Sequence, residues 1–146
     1  MAITSAICNS FKQEVLEAEH NFTATTGNTF KLALYTSSAT LGASTTAYSA
    51  TNEITNTSGT AYTAAGKALT SVTPTLDSST AVCDFADVSW TSASFTANGC
   101  LIYNDSHSTD AAVCAVAFGG DKTVSSGTFT IQFPAAAATT AIIRIA

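Results

Sequence analysis

Thr29-Phe30-Lys31-Leu32-Ala33-Leu34-Tyr35-Thr36 places Phe30, Leu32 and Leu34 on one face of an extended chain, with Lys31, Ala33 and Tyr35 on the other. A period of two marks a strand, because successive side chains of an extended backbone point to opposite sides. The same period recurs in Gly127-Thr128-Phe129-Thr130-Ile131-Gln132-Phe133, which puts Phe129, Ile131 and Phe133 toward a core before Pro134. Residues 67–72, 81–85, 88–91, 94–96, 100–104 and 141–146 are further short strand patterns, separated by Pro74, Asn98-Gly99 and Gly119-Gly120-Asp121. Residues 112–118 form a near-continuous run of small apolar side chains, the pattern of a central strand buried on both faces. Seven to eight short strands with turn signals between them predict a mainly β domain. The expected form is an antiparallel, jelly-roll-like β-sandwich over residues 22–146.

Working back from that stretch, the first twenty residues follow a different period. Ile3, Ile7, Phe11 and Val15 recur every four positions, Leu16 and Ala18 widen the stripe, and Lys12, Glu14, Glu17 and Glu19 take the opposite side. Ser10 and Gln13 stand at capping-box spacing, where each side chain can satisfy a backbone donor left open at a helix start. The pattern predicts one amphipathic helix over residues 3–19, within an arm of residues 1–20. An apolar stripe of this kind has two uses. It packs on the chain's own sheet, or it offers Ile3, Ile7, Phe11 and Val15 as anchors in a neighbour's groove. Residues 37–58, rich in Ser, Thr, Ala and Asn, are long for a loop and form a second candidate contact surface, with Tyr48 and Ile54 as its large side chains.

Composition narrows the function. Lys and Arg number 5 against 10 Asp and Glu, for a formal net charge of −5, and only 10% of the residues are charged. Lys12, Lys31, Lys67, Lys122 and Arg144 are too few and too scattered to neutralise a phosphate backbone, so nucleic acid is not an expected partner. Hydrophobic residues make up 46%, well away from the disorder signature of low hydrophobicity and high net charge. With 26 Thr, 17 Ser and 27 Ala, the surface is wetted by hydroxyls and offers little electrostatic resistance to covering by other chains. No apolar stretch approaches a membrane span, and the N-terminus lacks the basic and apolar regions of a secretory signal.

Cys8, Cys83, Cys100 and Cys114 contain no C-x-x-C pair, and neither His20 nor His107 stands at a zinc-finger spacing from them. They read as free, buried thiols in a chain folded in a reducing cytoplasm. Asn104-Asp105-Ser106-His107-Ser108-Thr109-Asp110 holds Asp, His and Ser together, but a nucleophilic triad converges from separate elements. Seven adjacent residues read as a polar hairpin tip. Gly119-Gly120-Asp121-Lys122-Thr123 lacks the spacing of a phosphate loop, and Asp84 and Asp87 read as acids at exposed strand positions. No catalytic, cofactor or metal residues are assigned, and the expectation is a non-enzymatic structural or binding protein.

A resemblance sharpens this. Gly99-Cys100-Leu101-Ile102-Tyr103-Asn104-Asp105-Ser106, Ala115-Val116-Ala117-Phe118-Gly119-Gly120-Asp121-Lys122-Thr123-Val124, Gly127-Thr128-Phe129-Thr130-Ile131-Gln132-Phe133-Pro134 and Ala141-Ile142-Ile143-Arg144-Ile145 resemble small virion structural proteins of tailed bacteriophages. Phe30-Lys31-Leu32-Ala33-Leu34-Tyr35-Thr36-Ser37 resembles the same group. The resemblance implies a virion protein assembled in the host cytoplasm, most simply a capsid cement or decoration protein. Such a protein bridges major capsid protein subunits and is commonly a trimer. Tail, neck or fibre components, including host-surface binders, belong to the same group and are the alternative. The resemblance supplies no catalytic or ligand residues.

Overall fold

In a computed structural model, which describes residues 2–146, the chain is mainly β with one short helix. The elements are β1 (Ala6–Ile7), α1 (Asn9–Leu16), β2 (Phe30–Tyr35), β3 (Lys67–Ala68), β4 (Ser71–Asp77), β5 (Thr80–Phe85), β6 (Val88–Asn104), β7 (Ala111–Ile131) and β8 (Ile143–Ile145). They form two antiparallel sheets, of order β1-β7-β6-β2-β3 and β4-β5-β8. The strands divide five and three, not four and four as in a jelly roll.

The large sheet is covered on both sides. Directly opposed residues share a face, so Ile7, Cys114, Ile102 and Leu32 form one row across four strands, and Val116, Cys100 and Leu34 form the next. This face packs on the small sheet and α1 through aromatic rings. The Phe30 centroid lies 4.2 Å from Phe22 and 6.0 Å from Phe85, and Phe85 lies 5.5 Å from Phe133. The opposite face carries Ala6, Ala115, Leu101 and Ala33 in one row, with Tyr35 opposite Gly99 and Lys31 opposite Tyr103 in flanking ones. Its cover is not a sheet. The connection of residues 36–66 lies over it, with Tyr48 stacked on Tyr103 at 4.8 Å and the Ile54 N–H donating to the Leu34 carbonyl. Double coverage explains why Leu32, Ala33, Leu34, Leu101 and Ile102 are all inaccessible to solvent. It also explains the small apolar run at the start of β7.

Several expectations need correction. The helix covers Asn9–Leu16, not residues 3–19. Ala6 and Ile7 instead pair with Ala115 and Cys114, and Ile3 bridges Leu41 in parallel, so the backbone before Cys8 satisfies a sheet edge that a helix would have left open. Met1, the first residue of the expected arm, lies outside the described residues. The N-cap is Cys8, not Ser10, and no side chain caps the helix. The Ser10 hydroxyl is buried without a partner, while Gln13 donates to Glu17.

The strands are not all short. β6 and β7 run 17 and 21 residues as one hairpin, closed by the predicted polar tip of residues 105–110. Gly119-Gly120-Asp121 is not a turn between strands. Residues 118–121 of β7 bulge opposite Asn98 alone, with Gly119 and Gly120 at positive φ, and both strands continue beyond. Pro74 does not end a strand either. It sits inside β4, an edge strand, at a bulge between Val72 and Thr75, a position that tolerates a missing N–H.

All four cysteines are free and buried. Burial pushes Cys8 up to about 11, with Glu14 adding to the shift, and pushes Cys83 and Cys100 up to about 12. Cys114 is raised in the same direction for the same reason. The thiolate is the reactive form, so native protein at pH 8 is expected to react negligibly with a thiol-specific disulfide reagent. Denatured protein should return four thiols per chain. Rapid reaction of the native chain, or fewer than four thiols on denaturation, would contradict this packing.

Candidate functional site

The six side chains read from the sequence as candidate contacts are engaged with this chain's own core. Ile3, Phe11 and Ile54 are buried, and Ile7, Val15 and Tyr48 are half-buried and packed against the same cluster. Ile3 lies over Gly99, where an added Cβ would come within 2.8 Å of the Ile3 Cδ1 and Cγ2 atoms. Phe11 stands against His20 and Phe22 at centroid distances of 4.9 and 6.0 Å. Ile3, Ile7, Phe11 and Val15 therefore pack on this chain's own core, while Leu16, which widens the same stripe, is exposed.

Two polar clusters hold the covering segments in place. One fastens the end of the N-terminal segment to the β6–β7 tip. The fully buried His20 side chain sets Nε2 at 2.8 Å from Glu14 Oε2, and the Asn104 amide donates to its Nδ1 at 3.1 Å. Asn104 itself is fully buried, and its amide also reaches the Glu19 carbonyl and Asn28 Oδ1 while its Oδ1 accepts from the Ser106 N–H. His107 stacks at 6.3 Å from His20 and sets Nε2 at 3.2 Å from Glu19. Asp105, in the same tip, pairs with Lys31 at 2.9 Å. Asp105, Ser106 and His107 of the tip thus tie it to neighbouring elements. Asp84 and Asp87 accept from the backbone N–H groups of Phe85 and Phe133.

The second cluster gathers all four tyrosines around the connection of residues 36–66. Tyr48 and Tyr62 each donate to Glu53 at 2.6 Å, and the Tyr62 oxygen accepts from the Leu34 N–H at 2.9 Å. Tyr35 donates to the Ser49 carbonyl and Tyr103 to the Ala65 carbonyl. Burial raises the pKa of all four above the ordinary value of 10.0, and the nearby Glu53 carboxylate adds to each. The sign follows. Below about pH 10 both folded and unfolded tyrosines are protonated and the contribution is complete; above it, only the unfolded chain releases protons, so stability falls as pH rises. Absorbance at 295 nm is expected to show little tyrosinate at pH 10 to 11, then a cooperative rise coincident with unfolding. Free titration of all four near pH 10 would contradict the cluster.

The exposed apolar side chains lie elsewhere. Leu16 is 89% exposed, Leu76 72%, Ile145 58% and Val72 44%. Three belong to the small sheet and the fourth ends α1. Leu76, Ala81 and Ile145 stand in one row across β4, β5 and β8. Between α1 and β8 runs a groove of ≈ 330 Å³ lined by Phe11, Lys12, Val15, Leu16, Arg144 and Ile145, among others. A cleft of ≈ 120 Å³ shares Phe11, Val15 and Ile145 with it and reaches inward to His20 and Phe22. Lys12 and Arg144 make no ion pair with a carboxylate among the described residues. Lys12 donates to Asn9 Oδ1, and Arg144 to the Ala138 carbonyl.

Leu76, Arg144 and Ile145 were not among the expected contacts. Ile143-Arg144-Ile145 does alternate, and that signal marked a strand, but alternation carries no information about which strand is an edge. No helix among the described residues is long and apolar enough to cross a membrane. No family model, curated protein or solved structure matches the chain.

Proposed function

We propose that this chain is a non-enzymatic structural protein of a tailed-bacteriophage virion, acting as a capsid cement or decoration protein that bridges major capsid protein subunits. The virion assignment rests on the resemblance of its segments to small phage structural proteins. The observation that carries the binding role is the pair of exposed apolar side chains Leu16 and Ile145 on one groove, with exposed Leu76 in the same row of the small sheet as Ile145, on a chain of which only 10% of residues are charged. Scattered exposed apolar residues are ordinary on a protein surface, whereas exposed apolar residues that line one groove together are a contact feature. A cement protein needs such a feature more than it needs a strong single contact, because each copy adds modest contacts to several neighbours at once. The self-associated form in this proposal is a trimer.

Particles assembled without the protein test the proposal. They are expected to form shells that leak or burst at lower temperature than complete particles, and adding purified protein back should restore heat resistance. Shells of normal heat resistance that fail to attach or complete a tail would contradict the cement role and place the protein in the tail, neck or fibre.

A further inference from the structure

We propose that the groove between α1 and β8 receives an extended segment of another protein, added as a strand to the open edge of β8, with a carboxylate set against Arg144. The proposal rests on the binding role above and names the chemistry of the partner. β8 ends the order β4-β5-β8, so alternate backbone N–H and C=O groups of Ile143–Ile145 face away from β5. An open edge beside an apolar groove is the arrangement used in strand addition, where main-chain hydrogen bonds give affinity and alternate side chains give specificity.

Charge selects the occupant. The chain carries a net −5, yet the groove is flanked by two of its five cations, Lys12 and Arg144, and neither is paired with a carboxylate among the described residues. Residues opposed across a strand pair share a face. A partner residue opposite Arg144 therefore lies on the guanidinium side, and its two neighbours lie on the side of Ile143 and Ile145. The matching segment alternates apolar, acidic, apolar. A second copy does not fit. Antiparallel pairing of β8 with itself in full register sets Arg144 against Arg144, and like charges directly opposite destabilise a strand pair. The other open edge of the small sheet, β4, is interrupted by Pro74 and a bulge.

The test uses two fluorescent, end-blocked hexapeptides on the full chain, one alternating valine with glutamate and one alternating valine with lysine. The glutamate peptide is expected to bind about fivefold more tightly than the lysine peptide, the scale of an exposed ion pair changed to a repulsion. Amide shift changes should centre on Ile143–Ile145 and Leu16. Arg144→Glu should reverse the preference, and Lys12→Glu, on the exposed helix surface, should weaken the glutamate peptide in a chain whose circular dichroism is unchanged. Equal binding of the two peptides, or shift changes away from β8, would overturn the proposal. So would shells that bind wild-type and folded Arg144→Glu protein equally, and that result would leave the cement role standing. Concentration-dependent dimerisation abolished by Ile145→Asp would also overturn it, in favour of a second copy.

Discussion

Removing residues 1–20 is expected to unfold the protein, not to release a folded sandwich that has lost its anchor. The segment supplies β1, which closes the β7 edge of the large sheet, and buries Ile3, Cys8 and Phe11 in the core. Its loss also takes away His20, the hydrogen-bonding partner of buried Asn104. Truncating one buried Phe costs about 3–5 kcal/mol and one buried Ile about 2–5 kcal/mol. Together with an opened sheet edge and a buried Asn104 amide stripped of its His20 and Glu19 partners, the sum reaches the whole stability of a typical domain, about 5–15 kcal/mol. Circular dichroism of the truncated chain should show no cooperative melt. Phe11→Ala alone should fold and melt early, by about 3–5 kcal/mol. A truncated chain that melts within a few degrees of the intact one would show that the N-terminal segment is a detachable arm.

The second large effect is Gly66→Ala. Gly66 has φ +78°, and a Cβ there would lie 2.1 Å from the Leu32 carbonyl oxygen and 2.8 Å from the Ala33 Cα. At this point the chain returns from the covering connection and comes down beside β2 to form β3. Both contacts are to backbone in the most buried strand of the sheet, so neither can swing aside. Left-handed backbone in a residue with a Cβ costs about 1–2 kcal/mol, and forcing the neighbouring backbone adds about 1–3 kcal/mol. Gly59→Ala separates the two contributions. Gly59 has φ +89° but nothing within 4 Å of the added Cβ, so it should lose only the backbone part. Chemical denaturation of both variants is the measurement. Equal losses would show that the close approach at Leu32 is absent.

What the sequence disclosed and what it hid follow from the range of the interactions. Phe30–Tyr35 alternates because each face of β2 meets a different layer, and that is legible in six residues. The buried apolar run at the start of β7 is legible for the same reason. Ile3 and Ile7 misled because a spacing of four suits a helix equally well, and their extended conformation is decided by β7 and Leu41, far away in the chain. Asn98-Gly99 and Gly119-Gly120 carry local turn chemistry, but the pairing of β6 with β7 on either side absorbs it as a bulge. The length and polarity of residues 37–58 are legible in sequence; that Tyr48, Ile54 and Glu53 fold the connection down over Tyr35 and Tyr103 depends on the assembled sheet. The candidate surface was hidden for a further reason. Ile145 and Leu76 look like core residues in sequence, and only the strand order, with β8 and β4 at the edges, leaves them outside.

Stoichiometry in purified virus particles tests the proposed cement role most directly. Quantitative mass spectrometry against the major capsid protein is expected to find it at a copy number of the same order as that protein, as a cement bridging subunits across the whole shell requires. A copy number comparable to single-tail components, or absence from the particle, would contradict it.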